Sequence, residues 1–118
     1  MNLKSLPSLT LALLTTACAT APEPLYQWGG FPSHTYDTLR GEGKTPLEQI
    51  EIMLSHGQKA ELQGKKLPPG FQAHLGLLYL KLGRSDQARR RFEAELQAFP
   101  ESRTYVERLL EAARKAGA

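Results

Sequence analysis

The 118-residue sequence contains a single cysteine and no long hydrophobic run. Cys18 has no second thiol to pair with, so a disulfide cannot stabilise this chain and its stability must come from packing. The longest apolar run, residues 6–14, is about half the roughly 20 residues that a membrane-spanning helix requires, and Pro7 interrupts its start. The sequence therefore predicts neither a disulfide scaffold nor a transmembrane anchor.

Recognisable catalytic and metal-binding patterns are also missing from the sequence. His34, His56 and His74 lie far apart and form no two-histidine helical motif. The Gly29-Gly30 pair has no lysine-serine sequence behind it, and there is no nucleophile elbow. The carboxylates of the helical region lie beside arginines and are interpreted as solvated pairs, for example Glu93, Glu95, Glu107 and Glu111. We expect no enzymatic activity, no metal and no cofactor.

Residues 1–17 have the three parts of an export signal: the basic Lys4, an apolar run, and small residues at the end. Their junction with Cys18 resembles a lipobox, in which the cysteine is acylated and becomes the mature N-terminus, although Thr15 stands where leucine is usual. Ala19 follows the cysteine in place of the aspartate that retains lipoproteins in the inner membrane. We therefore expect Cys18 to anchor the protein, through its acyl chains, to the periplasmic face of a Gram-negative outer membrane.

Positive charge is in small excess. The formal net charge is +3, and one of the lysines lies in the leader, so nucleic-acid binding is not expected in that compartment. The one basic run is Arg89, Arg90 and Arg91, and at most two of three consecutive helical residues can share a face. This run is interpreted as a solvated helix exterior. The alternative is that Arg89 and Arg90 contact anionic headgroups or an acidic partner.

Residues 18–44 are rich in proline and glycine, which disfavours a regular helix. We predict an extended, lipidated tether over this segment. It also holds an aromatic cluster that is too apolar for a purely solvated linker, namely Tyr26, Trp28, Phe31 and Tyr36. These side chains either fold back onto the core of the domain or form a strip that docks on a protein partner.

Residues 45–118 are predicted to form a helical domain. Its helices begin at Thr45, Phe71, Ser85 and near Ser102. Thr45 and Glu48 have the spacing of a capping box, Gly83 ends the second helix, and Ser85 is expected to cap the third. In the last helix the residues expected to face inward are Val106, Leu109, Leu110 and Ala113.

Residues 69–102 resemble one tetratricopeptide repeat, a helical hairpin in which small and bulky residues occupy fixed packing positions. The matching residues are Leu75, Gly76, Tyr79, Gly83, Ala88, Phe92 and Pro100. Gln72 and Glu95 depart from the pattern, and a generic amphipathic hairpin is the alternative interpretation. We predict an all-α fold of helical hairpins with one tetratricopeptide-like unit, which the flanking helices or a partner must cover because a single repeat cannot bury its own apolar faces.

Residues 25–31, together with Tyr36, resemble the mature N-terminus of an uncharacterised family of small bacterial lipoproteins. Those proteins carry a tyrosine and a tryptophan-glycine pair, then a second aromatic residue and a tetratricopeptide-like region. Phe31 stands here where tyrosine is commoner. Members of that family often accompany a lipoprotein related to the curli secretion channel. The resemblance implies a protein partner of that kind in a surface assembly.

The leader, the tether and the repeat together predict a non-catalytic scaffold or accessory subunit of a cell-envelope assembly, with the membrane and a protein as its partners. One alternative is a pilotin-like escort of an outer-membrane channel subunit. Another is an activator of cell-wall enzymes, which would need no catalytic residues of its own.

Overall fold

The computed structural model describes residues 20–117. Within this range the chain forms five α-helices and one 3-10 turn at Pro100–Ser102, the helices being α1 (Phe31–Arg40), α2 (Pro46–Leu62), α3 (Phe71–Lys81), α4 (Ser85–Ala98) and α5 (Arg103–Ala116). The predicted all-α fold is confirmed. The predicted signal peptide of residues 1–17 and the predicted lipidation site Cys18 lie outside the described residues.

The start of α2 follows the predicted capping box. The Thr45 side chain accepts a hydrogen bond from the Glu48 backbone, and the Thr45 N–H donates to the Glu48 carboxylate at 2.8 Å. This hydrogen bond from the Thr45 backbone stabilises the ionised carboxylate and lowers the pKa of Glu48. Two donors left free at the helix start are thus satisfied, which is why α2 begins at Pro46.

The turn between α3 and α4 is a Schellman motif. Gly83 has a φ of +70°, its N–H donates to the Leu80 carbonyl, and the Arg84 N–H donates to the Tyr79 carbonyl at 2.9 Å. The prediction that Ser85 caps α4 is wrong: Arg84 is the N-cap and makes no side-chain cap hydrogen bond, while Ser85 is already helical. Because the turn that closes α3 ends at Arg84, α4 begins one residue earlier than a Ser85 cap would allow.

The core is centred on α3, which packs antiparallel to α4 and has α2 on its other side. Residues around most of its circumference are buried: Phe71, Ala73, His74, Leu75, Gly76, Leu78 and Tyr79. Helix α5 covers α4 through the buried Val106 and Ala113 and the partly buried Leu109 and Leu110, as predicted. The flanking helices thus bury apolar surface that the α3–α4 hairpin alone would expose.

The prediction of an extended tether without a regular helix is wrong for Phe31–Arg40, which forms α1. The residues that disfavour helices lie at its ends and not in its middle. Gly30 precedes the helix, Pro32 lies in its first turn where a missing N–H costs nothing, and Gly41 ends it with a φ of +70°. The same residues that predicted irregular structure therefore mark the bounds of a ten-residue helix.

Glu95 is not the solvated residue that was predicted, since only 2% of it is exposed. Its carboxylate accepts hydrogen bonds from the backbone N–H groups at the start of α3, those of Gly70 (2.7 Å), Gln72 (3.1 Å) and Ala73 (3.3 Å). A residue of α4 thus satisfies the free donors of α3. Glu107 and Glu111, by contrast, do form exposed ion pairs with arginines on α5.

Candidate functional site

The chain first joins the folded domain at residues 26–31, which we call the docked segment. Tyr26 and Lys66 form an isolated parallel bridge, and the Gln27 N–H donates to the Lys66 carbonyl at 2.9 Å. The Gln27 side chain donates to Gln63 at 2.8 Å, and the His56 Nε2–H donates to the Gln27 carbonyl at 2.8 Å. The docked segment therefore lies along the loop between α2 and α3.

Gly29 allows the docked segment to approach α2 closely. Its φ is +47°, and a Cβ at this position would overlap the His56 imidazole. That imidazole lies against the Phe71 ring, with centroids 5.6 Å apart. Position 29 in the tryptophan-glycine pair therefore requires glycine, because a side chain there would separate the docked segment from His56.

Two of the four aromatic residues in the predicted cluster extend the core. The Phe31 ring packs against Phe71 and His74, with centroid distances of 5.3 and 5.9 Å. Tyr26 packs edge-on against Phe99 at 6.1 Å. For these two residues the structure agrees with the interpretation that the aromatic cluster folds back onto the domain.

The other two aromatic residues stay largely on the surface. Trp28 is 45% exposed and contacts the edge of Tyr26 at 6.1 Å. Tyr36 lies on the outer side of α1, where its hydroxyl accepts a hydrogen bond from Arg40 and the guanidinium lies 5.5 Å from the ring centroid. The structure therefore does not bring the four predicted residues together into one strip.

A groove of about 550 Å³ lies between α1 and α3. The residues that line this α1–α3 groove are Thr38, Leu39, His74, Leu77, Leu78, Leu80 and Lys81. Leu39 is 81% exposed, and its neighbours Leu77 and Leu80 are only partly buried. The groove lining has no carboxylate, and Lys81 makes no ion pair within residues 20–117. The result is an open apolar surface with one positive charge at its edge.

His74 lies at the base of this groove and is buried, and its Nε2 atom has no hydrogen-bond partner among the described residues. Burial lowers the pKa of the imidazole, and the positive charges of Lys81 and His34 lower it further. His74 is therefore neutral at physiological pH and adds a polar atom, but no charge, beneath the leucines.

Sequence reasoning missed this groove for two reasons. Leu39 lies in the segment that was interpreted as a tether, and the α3 residues that match the repeat pattern do not include Leu77 or Leu80. The available signal was that α3 is apolar on nearly all sides, which predicts contacts all round the helix. Its neighbours leave part of that apolar surface open.

The arginine run is divided between two faces of α4. Arg89 lies 3.8 Å from Asp86 and lines the α4–α5 side, whereas Arg90 and Arg91 line a small depression beside Tyr79. Arg91 also donates to the Gln72 side chain at 3.4 Å. The two candidate residues Arg89 and Arg90 thus do not form one basic patch.

The residues assigned to repeat packing lie in and around the α3–α4 hairpin. Leu75, Tyr79, Ala88 and Phe92 are buried, and Gly76 lies against the Phe92 ring, so that a Cβ there would come within 3.0 Å of three ring carbons. Gly83 forms the turn, and Pro100 starts the 3-10 turn after α4. The hairpin thus has the close helix approach that the small residues of the repeat pattern require.

Two features are absent from residues 20–117. This part of the chain contains no group of three or more His, Cys, Asp or Glu residues placed to hold a metal ion. None of its helices combines the length and apolar character needed to cross a membrane.

Comparison with known proteins identifies the family. No curated protein and no solved structure matches the chain significantly. A family model described as a domain of unknown function, DUF4810, matches residues 25–109, which include the docked segment and most of the five helices. The prediction of an uncharacterised family is confirmed, and the chain belongs to this family of unknown function.

Proposed function

We propose that this protein is a lipoprotein, acylated at Cys18, that serves as a non-catalytic scaffold or accessory subunit of a cell-envelope assembly on the periplasmic face of the outer membrane. The leader and the lipobox-like junction support the anchor. The α1–α3 groove supports protein binding. The mechanism is positioning: the anchor fixes one end of the chain, and the helical domain holds a partner.

The observation that carries this proposal is the exposure of Leu39 above the partly open Leu77 and Leu80. A solvent-exposed leucine on its own is ordinary, but four leucines lining one groove of about 550 Å³ form a surface suited to an apolar side chain of a partner. Because Lys81 is the charged residue at the groove edge, the partner segment that fits best is apolar with a carboxylate beside it. A short amphipathic helix or a chain terminus has that chemistry.

The groove is tested by Leu39→Glu in the full-length protein expressed in its host. Leu39 is so exposed that this change leaves the core intact. A buried leucine contact is worth about 1.5–3 kcal/mol, so we expect the Kd for the co-purifying partner to rise roughly 10- to 100-fold. Tyr105→Glu on α5, also an exposed apolar position, is the matched control and should retain the partner.

The experiment is co-purification of the lipidated protein from detergent-solubilised membranes, combined with deletion of the protein and replacement of Cys18. Three outcomes are decisive. Recovery of the protein only as a free monomer, with envelope assembly intact after its deletion, contradicts the scaffold role. Equal partner recovery by both variants places the binding surface elsewhere. Mislocalisation of a channel subunit when Cys18 is replaced supports pilotin-like escort in place of a scaffold.

The anchor has a separate test. Wild-type protein should incorporate labelled palmitate, and Cys18→Ser should not, because the variant lacks the sulfur to which the lipid is attached. Absence of label from the wild type would contradict the lipoprotein assignment, whatever the groove binds.

A further inference from the structure

The docked segment shortens the chain between the anchor and the folded domain. Residues 20–25 contain no helix or strand and are all exposed, and the first attachment through the backbone is the Tyr26–Lys66 bridge. The eight steps from residue 18 to residue 26 span at most about 26–29 Å when fully extended. A tether over all of residues 18–44 would have reached roughly three times as far. If Cys18 is acylated, as proposed above, this end of the domain must stay close to the bilayer.

Three exposed apolar side chains lie at that same end. Leu25 is 64% exposed, Trp28 is 45% exposed and Leu62, the last residue of α2, is 89% exposed. They belong to adjacent backbone, because the Gln27 side chain is hydrogen-bonded to Gln63, the residue that follows Leu62. We call these three residues the anchor-end patch.

The charges around the anchor-end patch nearly cancel. Lys65 lies 3.7 Å from Glu23, and Lys66 and Glu61 are exposed with opposite charges, so that the exposed Lys59 leaves one positive charge in excess. A surface of this kind has no strong preference for anionic ligands. Its apolar residues and its indole, which has one polar N–H on a large apolar ring, are typical of the interfacial region of a bilayer.

We propose that the anchor-end patch inserts into the headgroup region of the membrane, so that Leu25, Trp28 and Leu62 hold the domain in a fixed orientation on the bilayer. This inference depends on the lipid anchor of the proposed function. The membrane is the favoured occupant because the tether keeps Tyr26, where the patch begins, within about 29 Å of it, which gives a high effective concentration. The acyl chains supply the affinity, and the patch supplies the orientation.

The orientation leaves the α1–α3 groove accessible. Helix α3 starts beside the attached loop, and its groove leucines lie in its C-terminal half, with Leu80 nine residues beyond Phe71. At 1.5 Å per residue this places Leu80 about 14 Å further along the helix axis. Membrane contact at the anchor end and partner binding in the groove therefore use separate surfaces.

The experiment uses mature, acylated protein in vesicles of phosphatidylethanolamine and phosphatidylglycerol. Trp28 is the only tryptophan of the chain, so its fluorescence reports on the patch alone. We expect a blue shift on vesicle binding, with stronger quenching by a spin label near the headgroups than by one at the bilayer centre. Leu62→Glu should reduce that quenching, whereas Leu39→Glu, in the groove, should leave it unchanged. Because the charges nearly cancel, removing the phosphatidylglycerol should have little effect.

The outcomes of this experiment distinguish failure of the membrane-insertion proposal from failure of the lipid-anchor proposal. Protein that floats with the vesicles while Trp28 is not quenched overturns the inference and leaves the anchor intact. Acylated protein that fails to float overturns both. A blue shift that depends on protein concentration in the absence of vesicles would assign the patch to a second copy of the chain, and one that appears only with a purified protein partner would assign it to that partner; either result overturns the membrane assignment.

Discussion

Two glycines within helices have opposite surroundings. Gly76 on α3 lies against the Phe92 ring, where a Cβ would meet three ring carbons at 3.0 Å or less. Gly57 on α2 has open space around the position of a Cβ. Only Gly76 is therefore required for packing, while Gly57 leaves the middle of α2 less stable than an alanine would.

The alanine variants of these glycines should change stability in opposite directions. Gly76→Ala forces α3 away from α4 and should lower the free energy of unfolding by about 1–3 kcal/mol. Gly57→Ala should raise it by about 0.5–1 kcal/mol, the usual gain in a helix interior. Urea unfolding monitored by circular dichroism measures both. Destabilisation by both variants to the same extent would contradict the packing role of Gly76.

His74 should make stability depend on pH. Burial, with the charges of Lys81 and His34, lowers the pKa of the folded imidazole below the ordinary value of 6.5. Below that value the unfolded chain binds the proton more readily, so stability is complete above about pH 6.5 and falls as the pH drops towards the folded pKa. In urea unfolding from about pH 8 to about pH 5, His74→Leu should have a flatter profile than the wild type. Parallel profiles would show that His74 does not contribute.

At the scale of the helices, Glu95 links the end of α4 to the start of α3. Its buried carboxylate accepts hydrogen bonds from three backbone N–H groups, and its sequence separation from Gly70 is 25 residues. The repeat pattern expects a small residue at position 95. This departure from the pattern has a structural cause. The N-cap of α3 is Gly70, which has no side chain, so the free N–H groups at the start of α3 need an acceptor from another part of the chain.

Glu95→Gln should lower the free energy of unfolding by about 1–3 kcal/mol. The amide replaces one acceptor oxygen with an NH₂ group, which then faces a backbone donor. Glu93→Gln, at an exposed position on the same helix, is the control and should change stability by less than about 0.5 kcal/mol. Equal urea midpoints for the two variants would mean that Glu95 does not stabilise the hairpin.

At the scale of the whole molecule, the docked segment determines how far the helical domain can lie from Cys18, the proposed anchor. Gly29 permits this docking because its φ is positive and the His56 imidazole occupies the space of a Cβ. Gly64 has a similar φ of +64° but open space around it. A substitution at either position would therefore strain the backbone, but only at position 29 would the new Cβ overlap another side chain.

Gly29→Ala should release the docked segment, whereas Gly64→Ala should not. Both variants pay about 1 kcal/mol for a left-handed alanine, but only Gly29→Ala should also lose the hydrogen bond from the Gln27 N–H to Lys66. Hydrogen exchange of the Gln27 amide measures this directly, with faster exchange expected for Gly29→Ala. Unchanged protection in that variant would show that the segment docks without a glycine.

The helix bounds could largely be predicted, because the features that start and stop a helix are local. The capping box of Thr45 and Glu48 and the turn at Gly83 involve residues within five positions of one another. Helix α1 was missed because Gly30, Pro32 and Gly41 were interpreted as interruptions, although each is compatible with a helix end. The residue types were informative, but their positions relative to the helix were not recognised.

Local sequence patterns were enough to predict the helical class, the start of α2, the α3–α4 turn and membership of an uncharacterised family. They could not predict that Phe31 joins the core while Tyr36 stays exposed, that Glu95 is buried, or that Leu39 overhangs a groove; these features depend on how the helices pack. The reason is that burial depends on partners far away in the sequence: Phe31 meets Phe71, and Glu95 meets Gly70. A local pattern can define a helix, but only the packing of helices determines which of its residues remain available for binding.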